Sequence, residues 1–272
     1  MGSENSTRKL LSTEREKLIL DSLNGGICTI AELSARLGVS EATVRRDLQS
    51  LEEQHLVRRV HGGAEPIRRG AAGELLFNEK TSLHAAEKEL IAQKALDYIQ
   101  DNDAIFLDGG STVLALARKL QQRKNLTVVT NSIMAASELM ETSHRLILLG
   151  GEFRARSRTL VGPLTSRILE SLAIHTAFLG TMGFTEESGI STSDPNEAYT
   201  KELVMKRAAR VILLADSSKL GAPSLASSGG VSDIDLIITD DKVSTDLIGR
   251  LAKKHIEVIL TGSNTGLENT EE

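Results

Sequence analysis

The chain has 272 residues and a net charge of −5, with 40% hydrophobic and 25% charged residues, the balance of a globular protein with room for one ordinary domain and a small one. No apolar run approaches the roughly 18 residues that a membrane span needs, and the N-terminus lacks the basic-then-apolar layout of a secretory leader. A single cysteine, Cys28, excludes an intrachain disulfide and a cysteine-based metal cluster; it is expected as a small buried side chain. The expected setting is the cytoplasm, with no metal, no cofactor and no membrane partner.

Net acidity alone argues against nucleic acid, but the charge is unevenly spread. Within 54–69, Arg58, Arg59, Arg68 and Arg69 face only Glu65, with His55 and His61 beside them. A local basic surface can contact phosphates even on an acidic protein.

Three short helices are predicted first. Thr13 stands three residues before Glu16, and Thr29 three before Glu32; both pairs fit a capping box. The first helix runs from about Glu14 to Leu23 and is closed by Asn24-Gly25-Gly26. The second runs from Ile30 to Leu37 and stops at Gly38. Ser40 caps a third, from Glu41 to Glu53. Only Gly38-Val39-Ser40 separates the second and third helices, the spacing of a helix-turn-helix. In the third helix Val44, Leu48 and Leu51 form an inward stripe. Thr43, Arg45, Arg46 and Gln49 lie off it. Arg and Gln make paired hydrogen bonds to base edges in the major groove, and Thr meets a methyl or a phosphate. The stretch from His55 to Gly63 then reads as a short β-hairpin, a wing bringing Arg58, Arg59 and His61 to phosphates or the minor groove. The DNA-contacting set is therefore Ser40, Thr43, Arg45, Arg46, Gln49, Arg58, Arg59 and His61.

The run Val39-Ser-Glu-Ala-Thr-Val-Arg-Arg-Asp-Leu48, followed by Arg59-Val-His-Gly-Gly-Ala64, resembles the signature of the DeoR family of bacterial transcriptional regulators. The resemblance implies a repressor acting as an oligomer, dimer or tetramer, on a double-stranded operator.

A linker is expected over 65–77, rich in Gly and Ala and carrying Pro66, so that the winged module is 1–64 and the second domain 78–272. Beyond it strands alternate with helices. Strands are predicted at Ala104–Leu107, Leu126–Thr130, Leu146–Leu149, Thr176–Leu179, Val211–Ala215, Leu236–Thr239 and Glu257–Leu260, with helical stretches at Val113–Leu120, Ile133–Met140 and Glu197–Ala209. The pattern predicts an α/β domain with a mostly parallel sheet.

The strand ends carry the chemistry: Asp108-Gly-Gly-Ser-Thr112 after the first, Thr130-Asn131-Ser132 after the second, Gly150-Gly151 after the third, Gly180 after the fourth and Asp216-Ser-Ser-Lys219 after the fifth. In open α/β sheets ligands bind in the crevice at the carboxyl ends of the strands. Gly109, Gly110, Ser111 and Thr112, opening a helix, suit a phosphate. Lys219 supplies countercharge, and Asp108, Asn131 and Asp216 suit sugar hydroxyls. No Gly-x-Gly-x-x-Gly follows the first strand, so a dinucleotide is not expected.

From about Asn78 to Asp240 these motifs, with Glu197 four residues before Lys201, also resemble the effector domain of the DeoR family. That domain is a Rossmann-like α/β fold related to ribose-5-phosphate isomerase and the coenzyme A transferases, and it implies a phosphorylated sugar or sugar derivative as inducer. By matching position, Asp108 to Thr112, Thr130, Asn131, Ser132, Gly150, Gly151, Glu197, Lys201, Asp216 and Lys219 would line its pocket. Met182 and Asp194-Pro195-Asn196 depart from the family pattern, at two loops that bear on ligand choice. The alternatives are a sugar-phosphate isomerase with Asp108 or Glu197 as base and Lys219 as electrostatic partner, and an adaptor using the winged module for protein contacts. A fold does not carry its chemistry with it, and an isomerase has no evident use for the N-terminal module.

Overall fold

The computed structural model describes residues 12–23, 27–53, 56–60, 62–66 and 74–262. The chain divides into two compact units, Met1–Gly73 and Glu74–Glu272.

In the first unit, α1 (Ser12–Leu23), β1 (Cys28–Thr29), α2 (Ile30–Leu37) and α3 (Glu41–Glu53) precede a hairpin of β2 (Val57–Val60) and β3 (Gly63–Pro66). β3 pairs antiparallel with both β1 and β2. Ile19, Leu23, Leu33, Val44, Leu48, Leu51 and Val57 share one buried core. The Thr29 capping box forms, and Gly38 ends α2 in the left-handed conformation at φ 65°. α1 begins at Ser12, one residue before Thr13, whose expected capping side chain lies outside the described residues. The predicted stop at 24–26 and the wing residue His61 lie outside the described residues. Cys28 is half-buried rather than buried, its thiol donating to the Ser22 carbonyl at 3.4 Å.

The stretch expected as linker behaves as one at neither end. Glu65 and Pro66 pair with Arg58 and Val57 in the wing, and Glu74 and Phe77 are buried in the second unit.

The second unit opens with α4 (Phe77–Ser82) and α5 (Ala85–Ala95). Then come β4 (Ala104–Leu107), α6 (Ser111–Ala117), β5 (Thr127–Thr130), α7 (Ile133–Leu139) and β6 (Arg145–Leu148). The hairpin β7 (Glu152–Arg154)–β8 (Thr159–Val161), α8 (Ser166–Glu170) and β9 (Ile174–Leu179) come after it. Next are β10 (Gly183–Thr185), β11 (Gly189–Thr192), α9 (Pro195–Arg207), β12 (Ala208–Leu214) and β13 (Ala226–Gly229). The unit closes with β14 (Leu236–Asp240), α10 (Thr245–Lys253) and β15 (Glu257–Thr261).

Seven strands form one sheet in the order β15-β14-β12-β9-β4-β5-β6, every pairing parallel. Both faces are covered, so its strands carry apolar residues on both sides along most of their length. Along β4, Ile105 and Leu107 join the core beneath α5, α6 and α7, while Phe106 points to the core of α8, α9 and α10. All seven predicted strands exist; β4 has the predicted bounds, and each of the others has at least one end moved, by one to three residues. The hairpin β7–β8 and the small sheet β10-β11-β13 are additions, made of strands of three or four residues that are too short to show a period.

The order matters for function. From β4 the chain winds outward through β5 to β6, then returns to place β9 on the other side of β4. Strands β4 and β9 therefore flank the topological switch point, where a crevice opens at their carboxyl ends.

Candidate functional site

On α3, Val44, Leu48 and Leu51 are buried while Arg45, Arg46 and Gln49 are exposed and Thr43 is half-buried. Ser40 works as a cap: its Oγ accepts from the Thr43 amide at 3.3 Å and pairs with Thr43 Oγ1 at 2.9 Å. Arg45 bonds Glu41 at 2.9 Å, and Gln49 donates to Glu53 at 3.1 Å. Arg46 has no ion pair among the described residues. Sequence reasoning passes over Asp47 as one more polar residue, yet it is buried and receives both Nε and Nη2 of Arg15, at 2.8 and 2.9 Å. This fork ties α1 to α3 and fixes the angle of the recognition helix. A signal exists, since Asp47 lies three residues after Val44 and four before Leu51, on the apolar stripe.

The wing arginines are not free cations. Arg58 pairs with Glu65, and Arg59 lies 3.9 Å from Glu52. Their side chains remain 74% and 41% exposed, so phosphate can exchange for carboxylate. The double variant Arg58→Ala/Arg59→Ala is expected to weaken binding to specific and random DNA by the same factor, and to flatten the salt dependence by about one unit per arginine. An unchanged slope in a salt titration places the wing away from DNA.

In the second unit an open cleft lies at the switch point. It is lined by Asp108, Gly109, Gly110, Ser111 and Thr112 after β4, Asn131 after β5, Gly180, Thr181 and Met182 after β9, and Ala215, Asp216 and Lys219 after β12. Thr159, Thr192, Glu197 and Lys201 enclose it from β8, β11 and α9, and Phe77, Lys80, Leu83 and Lys88 from α4 and α5. A Cβ at Gly109 would lie 2.1 Å from Thr159 Cγ2, so any side chain there would force that threonine to move.

Four sequence-predicted residues do not line this cleft. Thr130 and Ser132 are buried supports: Thr130 Oγ1 donates to the Leu107 carbonyl at 2.7 Å and accepts from the Ser132 amide at 3.0 Å, and Ser132 caps α7. Gly150 and Gly151 come after β6, at the sheet edge two strands from β4. Gly151 is needed for packing, since a Cβ would come within 2.7 Å of the Val161 carbonyl oxygen. The helix after Asp108-Gly-Gly is also short. At seven residues α6 has a weak dipole, so the lysines supply most of the attraction for an anion.

Asp108 is 3% exposed. It is ion-paired with Lys201 and accepts the Gly180 amide at 3.0 Å, while Lys201 also donates to the Gly180 carbonyl at 3.0 Å. Burial pushes the Asp108 carboxyl above its usual range, against the pull of Lys201. Asp108→Asn is expected to leave Lys201 buried without its countercharge and to cost about 3–5 kcal/mol. Urea unfolding checks this; adding Lys201→Met recovers part of the loss if the pair is the cause, and an Asp108→Asn variant of parental stability refutes it.

Glu197 accepts from Thr192 Oγ1 at 2.7 Å and Thr159 Oγ1 at 3.3 Å, and pairs with Arg154 at 3.2 Å. Asp216 caps the 3-10 turn Ser217–Lys219, accepting the Ser218 amide at 3.2 Å. Asn131 is 2% exposed and its Oδ1 has no partner among the described residues. Lys88 gives two of its protons to the carbonyls of Lys80 and Leu83, and burial pushes its ammonium down to about 8.

Behind the cleft stands a cluster that periodicity could not reveal. Arg154 reaches Glu74, Asp194 at 3.3 Å and Glu197, and its own pKa is raised by these carboxylates against the cost of burial. Asp194, at one of the two departures from the family pattern, also caps α9 through the amides of Asn196 and Glu197. Burial opposes ionisation of Glu74, but Arg154, Lys80 and Ser193 outweigh it and hold the carboxyl down at about 2. A depressed carboxylate stabilises the fold above its unfolded value near 4.5, and that contribution is lost as pH falls toward 2. Acid unfolding of Glu74→Gln is therefore expected to show a flatter pH dependence over that window; a parental profile removes the assignment.

Residues 15–69 match the model described as the DeoR-like helix-turn-helix domain, and residues 83–241 that of the DeoR C terminal sensor domain. The HTH-type transcriptional regulator GlpR of Haloferax volcanii is 36% identical over 87% of this chain and 93% of its own length. The glycerol-3-phosphate regulon repressor of Escherichia coli is 30% identical over 91% of this chain and 98% of its own. Among solved structures, a ribose 5-phosphate isomerase A from Methanocaldococcus jannaschii aligns with 49% of this chain and 53% of that one at 19% identity and a TM-score of 0.37, a level from which no function follows. Among the described residues no helix is long and apolar enough to cross a membrane. With both units matched in order and relatives aligned along nearly their whole length, the chain belongs to the DeoR family of transcriptional regulators.

Proposed function

We propose that this protein is an operator-binding repressor of a carbohydrate catabolic operon, acting in the cytoplasm as a homo-oligomer, and that a phosphorylated sugar or sugar derivative bound in the cleft weakens its hold on DNA. One observation carries the reading. The cleft at the switch point combines lysines for a phosphate (Lys80, Lys88, Lys219) with deep polar groups for hydroxyls (Asp108, Asn131, Glu197), in a chain that also carries a recognition helix. Phe77, Leu83 and Met182 add an apolar wall, so Met182 bears on which carbon skeleton fits.

The carboxylates support sensing over isomerisation. A general base must be free to take up a proton, whereas Asp108 is paired through Oδ2 with the Lys201 ammonium and the Gly180 amide, an arrangement that suits a hydrogen-bond acceptor for a hydroxyl. Glu197 is held by Thr192, Thr159 and Arg154. The repressor relatives support the sign of regulation.

The test is operator binding by the full chain with a panel of phosphorylated sugars and their unphosphorylated counterparts. Release by phosphorylated members alone is the expected result. The active compound at 100 times its Kd should stabilise the protein by about 2.7 kcal/mol. Release by no phosphorylated sugar, or turnover of one in a coupled isomerase assay, overturns the reading.

A further inference from the structure

Lys80, Lys88, Lys219 and Asp216 line the cleft. Lys88 lies within electrostatic reach of Lys80 and Lys219 as well as of Asp216 and Glu87, and Glu87 already pairs with Lys242 at 2.6 Å. Gathering ammonium groups out of water is costly unless an anion joins them, and the low pKa of Lys88 reports that cost. Asp216 is turned partly to its own helical turn. The anion that Lys80 does hold is Glu74, at 2.6 Å, a residue 6% exposed that lies outside the cleft lining.

Glu74 is held more tightly than an ordinary surface carboxylate. Lys80, Arg154 and Ser193 all donate to its carboxylate, and Arg156 donates to its carbonyl oxygen. Yet no helix or strand fixes its backbone before Phe77, and it is the first residue of the second unit. The other carboxylates here sit where the fold cannot release them. Asp108 and Asp216 end strands, Glu197 is in α9, and Asp194 caps it.

We propose that Lys80 and Lys88 form the anion-binding end of the cleft together with Lys219, and that the phosphate of the effector takes Lys80 from Glu74, its resident carboxylate partner. The proposal rests on the reading of this cleft as the effector site and adds to it the residues that hold the charge and the group they release. A phosphate dianion beside Lys80 repels Glu74 and satisfies Lys80 better, because it brings more charge and more acceptor oxygens than one carboxylate. Arg154 is then left to Asp194 and Glu197. Because Glu74 is the first residue of the second unit, its release changes how the start of that unit is held. A ligand shifts the DNA-binding equilibrium only through such a difference between two states.

Hydrogen exchange on the full chain, with and without saturating inorganic phosphate at constant ionic strength, tests the idea. Exchange should slow at 109–112 and 85–90, and quicken severalfold at 74–79. Slowing at 109–112 with 74–79 unchanged would overturn the displacement while leaving the effector site standing; no slowing anywhere in the cleft would remove both. Calorimetry gives a second arm. Glu74→Gln should bind phosphate about tenfold more tightly than the parent, and Lys80→Met at least about tenfold more weakly, each equivalent to roughly 1.4 kcal/mol. Equal or weaker binding by Glu74→Gln contradicts the proposal. Should that variant fail to fold, exchange at 74–79 in the parent decides.

Discussion

Arg46→Ala is expected to abolish sequence-specific operator binding while leaving the winged unit folded. The residue lies off the stripe of Val44, Leu48 and Leu51 that packs the helix into its core, so truncation opens no cavity. It differs from its neighbour in what it must give up on reaching DNA. Arg45 already holds Glu41 at 2.9 Å, whereas Arg46 has no acidic partner to leave among the described residues. A guanidinium bidentate to a guanine edge contributes about 1–3 kcal/mol of discrimination. With two recognition helices on a symmetric operator, the arrangement proposed for this protein, the loss doubles to about 2–6 kcal/mol, at least about thirtyfold in Kd. Binding to random DNA should change far less, because only one phosphate-range charge per subunit is removed. Fluorescence anisotropy on operator and scrambled duplexes separates the two effects. Unchanged operator affinity would mean that α3 does not read bases. Arg45→Ala should cost less than Arg46→Ala, since part of the Arg45 interaction with DNA is offset by the lost pair with Glu41.

The recognition helix and the main sheet are legible in the sequence because each repeats a pattern over enough residues to average out exceptions. Ser40, Gly38 and the stripe of α3 are local signals with local causes, and the structure reproduces them. The strands of the parallel sheet are apolar on both faces, so composition alone marks them, and the polar residues that end them mark the crevice. Gly150 and Gly151 show where that logic stops. They end a strand as Gly109 and Gly110 do, but strand order decides which ends meet, and order is a matter of long-range pairing. β6 is the edge of the sheet; β4 is next to the switch point.

Illegible for a different reason is the ring behind the cleft. Glu74 and Arg154 are 80 residues apart in the chain, and each stands in a stretch that reads as loop. The Arg154-Ala-Arg-Ser-Arg158 run is a visible excess of charge with no helical or strand period to place it. Lys80 and Lys88 fall in a helical region where lysine ordinarily means solvent, and only the closure of α4 and α5 over the cleft turns them inward. Buried ionic groups of this kind add little to stability relative to apolar packing, so folding alone gives no reason to expect them. Their presence beside the cleft is better explained by what binds there.

Lys219→Ala should produce a repressor that binds its operator normally and is released only at much higher effector concentration. Lys219 ends a 3-10 turn fixed twice, by Asp216 capping it and by Asp240 accepting the Ser217 amide at 2.6 Å. Its ammonium is thus presented to the cleft from a rigid base, on the far side of the sheet's midline from α6. Truncation removes one charge-assisted contact to phosphate, worth about 1.5–3 kcal/mol, which raises the effector concentration needed by about ten- to a hundredfold. Operator affinity without effector should stay within a few-fold of the parent, because Lys219 belongs to the second unit and the recognition helix to the first. This separates it from Asp108→Asn, where loss of the buried pair with Lys201 is expected to destabilise the whole unit and confuse sensing with folding. Effector affinity in the parent is expected to fall as pH rises through about 8, as Lys88 loses its proton among Lys80, Lys219, Glu87 and Asp216; Lys219→Ala should lower the whole curve and move that limb to higher pH, because Lys219 is one of the charges that holds the Lys88 ammonium down. The measurement is operator affinity across effector concentration for parent and variant, with thermal unfolding to confirm equal stability. Release of Lys219→Ala at the parent's effector concentration would show that the phosphate does not lie at this end of the cleft, and the placement of the effector would have to be abandoned.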